Sequence, residues 1–460
     1  MLQYDKDYQK KIIFKSYYQK SIFNFKLLNQ ITNYSESFIP YVKDQTNILV
    51  FNFFRYNYNL RDPIVLKIYF GSNPRKYLYK ILSPNGVLLI NSQTLKNINP
   101  SKLYDNLNIR VLHPYLRSIN NEFRFFGIYN SSNKFLSVSH SQKKTNNKSH
   151  ICGKRSFGLS NSSYSYFDGS NVQKLSFEKK SHFLTNKKLK FVPGFVCQDY
   201  NKNITGVWHD TSFSNKVLFK KSKNTDYKIY QVLLWPKPSK TGVKIFVDES
   251  QVGFLPDKIE VNVICLKNEK VIKKLKFLNI YNGSYVEINN INFTSECYLK
   301  IILVKFQSKI LFPCLGYVQA IYTHNKSNGD EVHSMNTPSY KTDITKPNVS
   351  FRCRKFAPYI FRKEFKNNFY IINLDSKGKY CDNHFKLRVF GENNKEMVED
   401  IYFKKKTGVF KINTKNINKF FIKNKLKNGI LMIEAEQTNY SAIFTLSNNF
   451  SFGIDHFTGG

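Results

Sequence analysis

A segment that recurs three times constrains this chain more than any other feature. The copies are PIVLKIYFGSNPRKYLYKILSPNGVLLIN from Pro63, IEVNVICLKNEKVIKKLKFLNIYNGSYVEIN from Ile259 and HFKLRVFGENNKEMVEDIYFKKKTGVFKIN from His384. In each, an alternating strand leads through a polar turn to a second strand. A glycine (Gly86, Gly283 or Gly408) then precedes a short strand closing on Ile-Asn, at Asn91, Asn289 and Asn413. A histidine (His140, His333 or His456) follows each glycine by about 50 residues. Self-similarity of this kind is the mark of one structural unit used several times.

The alternation sets the fold class. Ile259, Val261, Val263 and Cys265 alternate with polar residues, as do Phe385, Leu387 and Val389. Period two buries one face of a sheet and leaves the other wet. The turns carry residues that tolerate tight geometry, such as Gly71-Ser72-Asn73-Pro74 and Gly391-Glu392-Asn393-Asn394. No long stretch holds a 3.6-residue apolar period; residues 9–32 and 414–424 are the best short-helix candidates. Many short strands at close spacing predict an all-β, mostly antiparallel protein. Its units are three tandem β-sandwiches, immunoglobulin-like or jelly-roll-like, with few short helices. The paired cysteines and central tryptophan of antibody domains are missing.

At 460 residues the chain exceeds one hydrophobic core. Phe38-Ile39-Pro40-Tyr41 and Phe356-Ala357-Pro358-Tyr359 open two equivalent units. The expected division is a basic N-terminal arm (1–37), unit one (38–142) and a low-complexity basic linker (143–180). Unit two (181–336) follows, carrying an extra His-ended hairpin, with its own strands starting near Tyr227. A second linker (337–355) leads to unit three (356–460).

Charge bounds the partners. The formal net charge is +39, with 71 Lys and Arg against 32 Asp and Glu. AT-rich coding accounts for part of the lysine content but not for the shortage of acids. The remaining field attracts polyanions: nucleic acid, anionic glycan or a larger assembly. Arg352, Arg354, Lys355 and Arg362 gather around Pro358, and Arg117 and Arg124 flank a second basic-aromatic cluster. Arginine binds phosphate or carboxylate bidentately, while Phe125, Phe126, Phe356 and Tyr359 are read as core.

Seven scattered cysteines form no CxxC pair, which argues against a zinc ribbon and for a reducing, cytoplasmic-type compartment. The N-terminal segment lacks a continuous apolar stretch, so no signal peptide is expected. No run approaches the roughly 18 apolar residues of a membrane helix.

The one chemical constellation is a set of four hairpins ending at His140, His209, His333 and His456. Packed around a pseudo-axis, these imidazoles with a neighbouring carboxylate would suit zinc, copper or iron. Histidines serving only their own units would give the same pattern. P-loop, GxGxxG, HExxH and GxSxG motifs are missing. Two functions follow. The first is a non-enzymatic repeat protein without cofactor that presents a basic surface to an anionic partner. The second is a metal-dependent enzyme using a divalent transition metal on the four histidines.

Overall fold

The computed structural model describes, towards the two ends of the chain, residues 34–53, 63–112, 123–130, 135–143, 353–373, 383–403, 409–435 and 440–459, save Asn99, Ser101, Asn393 and Phe450. Between them it describes residues 163–176, 194–198 and 204–209 and the strand backbones named below. Unit one contains β1 (Tyr34–Val42), β2 (Thr46–Phe51), β3 (Ile64–Phe70), β4 (Asn73–Leu82) and β5 (Val87–Ile90). It continues with β6 (Tyr104–Leu112), β7 (Phe125–Asn130), β8 (Leu136–His140) and β9 (Gln142–Lys143). These make a five-stranded sheet, β4-β3-β6-β1-β9, and a four-stranded sheet, β5-β2-β7-β8. Every pairing is antiparallel.

Next come β10 (His150–Ile151), β11 (Arg155–Ser156), β12 (Ser163–Phe167), β13 (Val172–Ser176), β14 (His182–Phe183) and β15 (Lys188–Leu189). They are followed by β16 (Gly194–Gln198) and β17 (Ile204–His209). Here β13-β12-β16-β17 is a four-stranded sheet, and β10-β15 and β11-β14 are separate two-stranded pairs. This sheet repeats the strand order of β5-β2-β7-β8.

Unit two holds β18 (Lys220–Lys221), β19 (Tyr227–Trp235), β20 (Thr241–Val247), β21 (Lys258–Cys265), β22 (Val271–Phe277) and β23 (Tyr285–Ile288). After these run β24 (Lys300–Ser308), β25 (Ile310–Leu311), β26 (Val318–His324), β27 (Glu331–Asn336) and β28 (Ser339–Lys341). Unit three holds β29 (Cys353–Ile360), β30 (Lys366–Asn373), β31 (Asn383–Gly391), β32 (Glu396–Phe403) and β33 (Val409–Lys411). It ends with α1 (Lys415–Lys423), β34 (Asn428–Ala435), β35 (Tyr440–Ser447), β36 (Phe452–His456) and β37 (Thr458–Gly459). The orders β22-β21-β24-β19-β28 with β23-β20-β26-β27, and β32-β31-β34-β29-β37 with β33-β30-β35-β36, reproduce unit one. The chain is all-β in the way its alternation predicts, with three tandem two-sheet units.

The segment read from sequence as a linker, 143–180, carries β12 and β13. Its alternation runs through serine and tyrosine (Ser163-Tyr164-Ser165-Tyr166) rather than aliphatics, so a polar composition conceals a strand. The turn between the two strands is explicit. Asp168 Oδ1 accepts the N–H groups of Ser170 (2.9 Å) and Asn171 (2.6 Å), and Gly169 takes φ 85°. That turn docks on unit one. Asn106 donates to the Asn171 carbonyl (3.0 Å) and accepts from Gly169 N–H (2.9 Å), while Asn108 donates to the Gly169 carbonyl (3.1 Å).

The repeated glycine has a steric cause in unit one. A Cβ on Gly86 would lie 2.8 Å from the Ser83 carbonyl oxygen and from a Leu82 methyl. Helix α1 falls within the 414–424 window, while the 9–32 candidate lies outside the described residues. Ile417 and Phe421, one turn apart, are its buried face. The helix stops at a left-handed Lys425 (φ 53°), whose N–H and that of Leu426 bond back to Ile422 and Phe421.

Both faces of several strands supply the core. Phe125, Phe126, Phe356 and Tyr359, read from the sequence as core, are all buried. The core is also continuous between units one and three. Phe51 meets Phe356 and Phe390 at ring-centre distances of 5.5 and 4.8 Å, and Phe53 meets Phe356 at 5.3 Å. Removing a ring from such a site costs about 3–5 kcal/mol. Phe356→Ala should therefore lower the urea midpoint steeply, followed by circular dichroism. Ile422→Ala, at a position 65% exposed, should leave it nearly unchanged.

Candidate functional site

Each four-stranded sheet ends on an outer strand: β8, β17, β27 or β36. These four edges pack in a closed cycle, β8 on β17, β17 on β27, β27 on β36 and β36 on β8. A sheet edge presents unpaired N–H and C=O groups that need partners. Across the β8–β36 seam the partners come from side chains of the neighbouring unit. Asp455 Oδ2 accepts the His140 N–H (3.0 Å), and Ser451 Oγ donates to the Leu136 carbonyl (3.4 Å). On the other flank of β8, Ser137 Oγ donates to the Val207 carbonyl of β17 (3.1 Å). The seam is close enough to require Gly453, where a Cβ would sit 2.7 Å from Val138 N and Cγ2.

At the end of this seam two of the predicted histidines meet. The His140 and His456 rings lie 4.7 Å apart, edge to face. Asp455 stands between them, with Oδ2 3.0 Å from His140 Nδ1 and Oδ1 3.2 Å from His456 Nδ1. Oδ1 also accepts the His456 N–H at 2.8 Å. The side chains of Asp455 and His140 are 2% and 5% exposed, that of His456 19%. One ligand atom from each of the three falls within 4.8 Å of the others. Arg124 belongs to the same neighbourhood. Burial pushes its guanidinium down to about 10, and the Asp455 carboxylate works in the opposite direction, so it stays charged at neutral pH.

Register decides which repeated residues are equivalent. Leu89, just before Ile90, pairs with Leu49, which pairs with Phe126, which pairs with His140. From Lys411, just before Ile412, the same path runs through Tyr370 and Ile443 to His456. From Glu287, just before Ile288, it runs through Lys244 and Ile321 to Ser334. His333 therefore occupies the position of Ser139 and Asp455, one residue away from its expected equivalence. His209 ends β17. The side chains of His209 and His333 lie outside the described residues.

The basic candidates separate by environment. Arg117 and Arg352 lie outside the described residues. Arg124 donates to the Ser141 carbonyl beside the seam. Arg354 sits 3.7 Å from Glu434, which also faces Arg388 at 3.6 Å. With the Arg388–Glu396 ion pair (2.6 Å) and the His384–Asp400 hydrogen bond (3.2 Å), these contacts form a polar ladder across the five-stranded sheet of unit three. Lys355 is half-buried on β29. Arg362 lines a groove of about 540 Å³, with Lys366, Lys411, Phe361, Phe365 and Asn413. The sequence reading missed Lys366 and Lys411 because they are far apart along the chain. The β30–β33 pairing, with Tyr370 opposite Lys411, joins them. Burial lowers the Lys411 pKa from 10.5, and repulsion from Lys366 lowers it further.

No protein-family model and no curated protein matches the chain. Among solved structures it is similar to one described as the crystal structure of a tetra-tandem repeat in the extending region of a large adhesion protein. Identity is 8%, over 86% of this chain and 90% of that one, with a TM-score of 0.11. So low a score carries no argument about this chain. No helix among the described residues is long and apolar enough to cross a membrane.

The seam has a direct test. Gly453→Val would drive β36 away from β8, and forced overpacking of this kind costs about 1–3 kcal/mol. Scanning calorimetry should show a lower transition temperature than for the unaltered chain. An unchanged transition would mean that the β8–β36 contact contributes nothing to stability.

Proposed function

We propose that this chain is a non-enzymatic β-sandwich repeat protein that presents basic surface to an anionic partner, a glycan, a nucleic acid or a larger assembly. The observation that carries this reading is the unit-three groove. Among the described residues, Arg362, Lys366 and Lys411 form no ion pair there, although Arg354 and Arg388 on the neighbouring sheet are matched with glutamates. A bound anion would relieve the repulsion between Lys366 and Lys411, and Phe361 and Phe365 offer apolar contact to sugar or base rings. The net charge of +39 supports the same reading through long-range attraction.

A second reading, a metal-dependent enzyme, draws on the convergence of His140, Asp455 and His456. A chelator separates the two, since it leaves polyanion binding intact and removes a metal-dependent activity.

Binding of a sulfated glycan and of single-stranded DNA, measured by fluorescence anisotropy across a salt series, tests the first reading. Affinity should fall steeply as salt rises, because each phosphate or sulfate contact releases a counterion. Replacing Arg362, Lys366 and Lys411 together by Ala should weaken binding by about tenfold or more and flatten the salt slope. Arg388→Ala should change it little. Binding that is indifferent to salt, or unaltered in the triple variant, refutes the groove as the contact.

A further inference from the structure

We propose that His140, Asp455 and His456 form a structural site for a divalent transition metal, zinc foremost, that clasps unit one to unit three. This goes beyond polyanion binding and requires no catalysis. It also differs from a four-histidine centre, because register puts Ser334 at the third histidine position and gives the seam an aspartate of its own.

Three features carry the inference. The donor set, two imidazoles and one carboxylate, suits borderline cations such as Zn²⁺ rather than Ca²⁺ or Mg²⁺, which prefer oxygen alone. Around a tetrahedral zinc with bonds of about 2.1 Å, ligand atoms stand roughly 3.4 Å apart. Here none of the three is more than 4.8 Å from another, so side-chain rotation alone can close the set. Finally, the carboxylate is almost fully buried, 2% exposed, where an anion needs compensating charge. A metal held by the two neutral imidazoles supplies it, in addition to the Arg124 cation that already interacts with Asp455.

Placement gives the metal its work. His140 belongs to the first unit, and Asp455 and His456 to the last, so the ligands lie at the contact where the cycle of edge strands returns to its start. A metal bound there joins residues more than 300 positions apart in the chain, as the His140–Asp455 hydrogen bond already does. Binding to the folded chain alone raises stability by mass action.

The test uses the full chain after chelator treatment and dialysis. Titration with Zn²⁺ should show a single tight equivalent and a higher thermal transition, and Mg²⁺ should do neither. His456→Ala, at the most exposed of the three positions, should weaken zinc binding by at least about tenfold and abolish the thermal shift. Asp455→Asn should act in the same direction. Co²⁺ added to the unaltered protein gives a readout independent of any variant: visible absorption bands of a low-symmetry site, displaced by Zn²⁺. The proposal is overturned if zinc neither binds the unaltered chain at one equivalent nor shifts its transition. Unchanged binding in His456→Ala and Asp455→Asn overturns it equally. A chain destabilised by Asp455→Asn yet indifferent to zinc would also overturn it, leaving a purely hydrogen-bonded clasp.

Discussion

An open sheet edge must find partners for its backbone, and the architecture depends on how that need is met. Each of the three units has two sheets, and the smaller ends on a strand with one side unpaired, β8, β27 or β36, as the four-stranded sheet of the intervening segment ends on β17. A row of free N–H and C=O groups is costly to bury and liable to pair with another chain. Here the edges are turned towards one another, and the seams described at side-chain level are closed by Asp455, Ser451 and Ser137. Gly453 permits the approach, since any Cβ there would strike Val138. Four similar sheets thus cover one another's weak side, which a single unit could not do alone. The intervening segment between units one and two belongs to this arrangement, because its sheet supplies β17 and its Asp168–Asn171 turn anchors on Asn106 and Asn108.

Charge is distributed with the same economy. A chain of net +39 carries a self-repulsion that grows as it becomes compact. On the five-stranded sheet of unit three the scarce carboxylates stand against cations: Glu434 near Arg354 and Arg388, Glu396 against Arg388, Asp400 near Lys386. These largely half-buried pairs use up local positive field. On unit one, Arg110 is matched to Glu36 at 3.1 Å, and Lys67 lies over Tyr77 at 3.9 Å. The unit-three groove stands out by contrast, which is why position rather than arginine count identifies a candidate contact.

Much of the fold was legible in the amino-acid order. Alternation through Ile259–Cys265 and Phe385–Val389 appears as β21 and β31, and the turn after β31 closes with Asn394 N–H on the Gly391 carbonyl, where Gly and Asn cluster. The site was legible only in part. His140 and His456 end equivalent strands and do meet, whereas nothing in the amino-acid order joins Arg124 to them. His333 shows why the rest escaped. Spacing from the repeated glycine tolerates a shift of one residue, whereas pairing does not, because one residue exchanges the two faces of a strand. The sheet containing β12 and β13 escaped for another reason. Serine and tyrosine can alternate as strictly as serine and valine, yet they read as low complexity.

By itself the sequence determined the period-two pattern, the repeated unit and the excess of positive charge, since these depend on residues close together in the chain. Only the tertiary structure decided which edges face each other, that Asp455 bonds to His140 across the seam, and that Lys366 and Lys411 share a groove. Those relations depend on how sheets stack and edges close. A solvent-facing cation and a site cation look alike in one dimension, and only packing tells them apart.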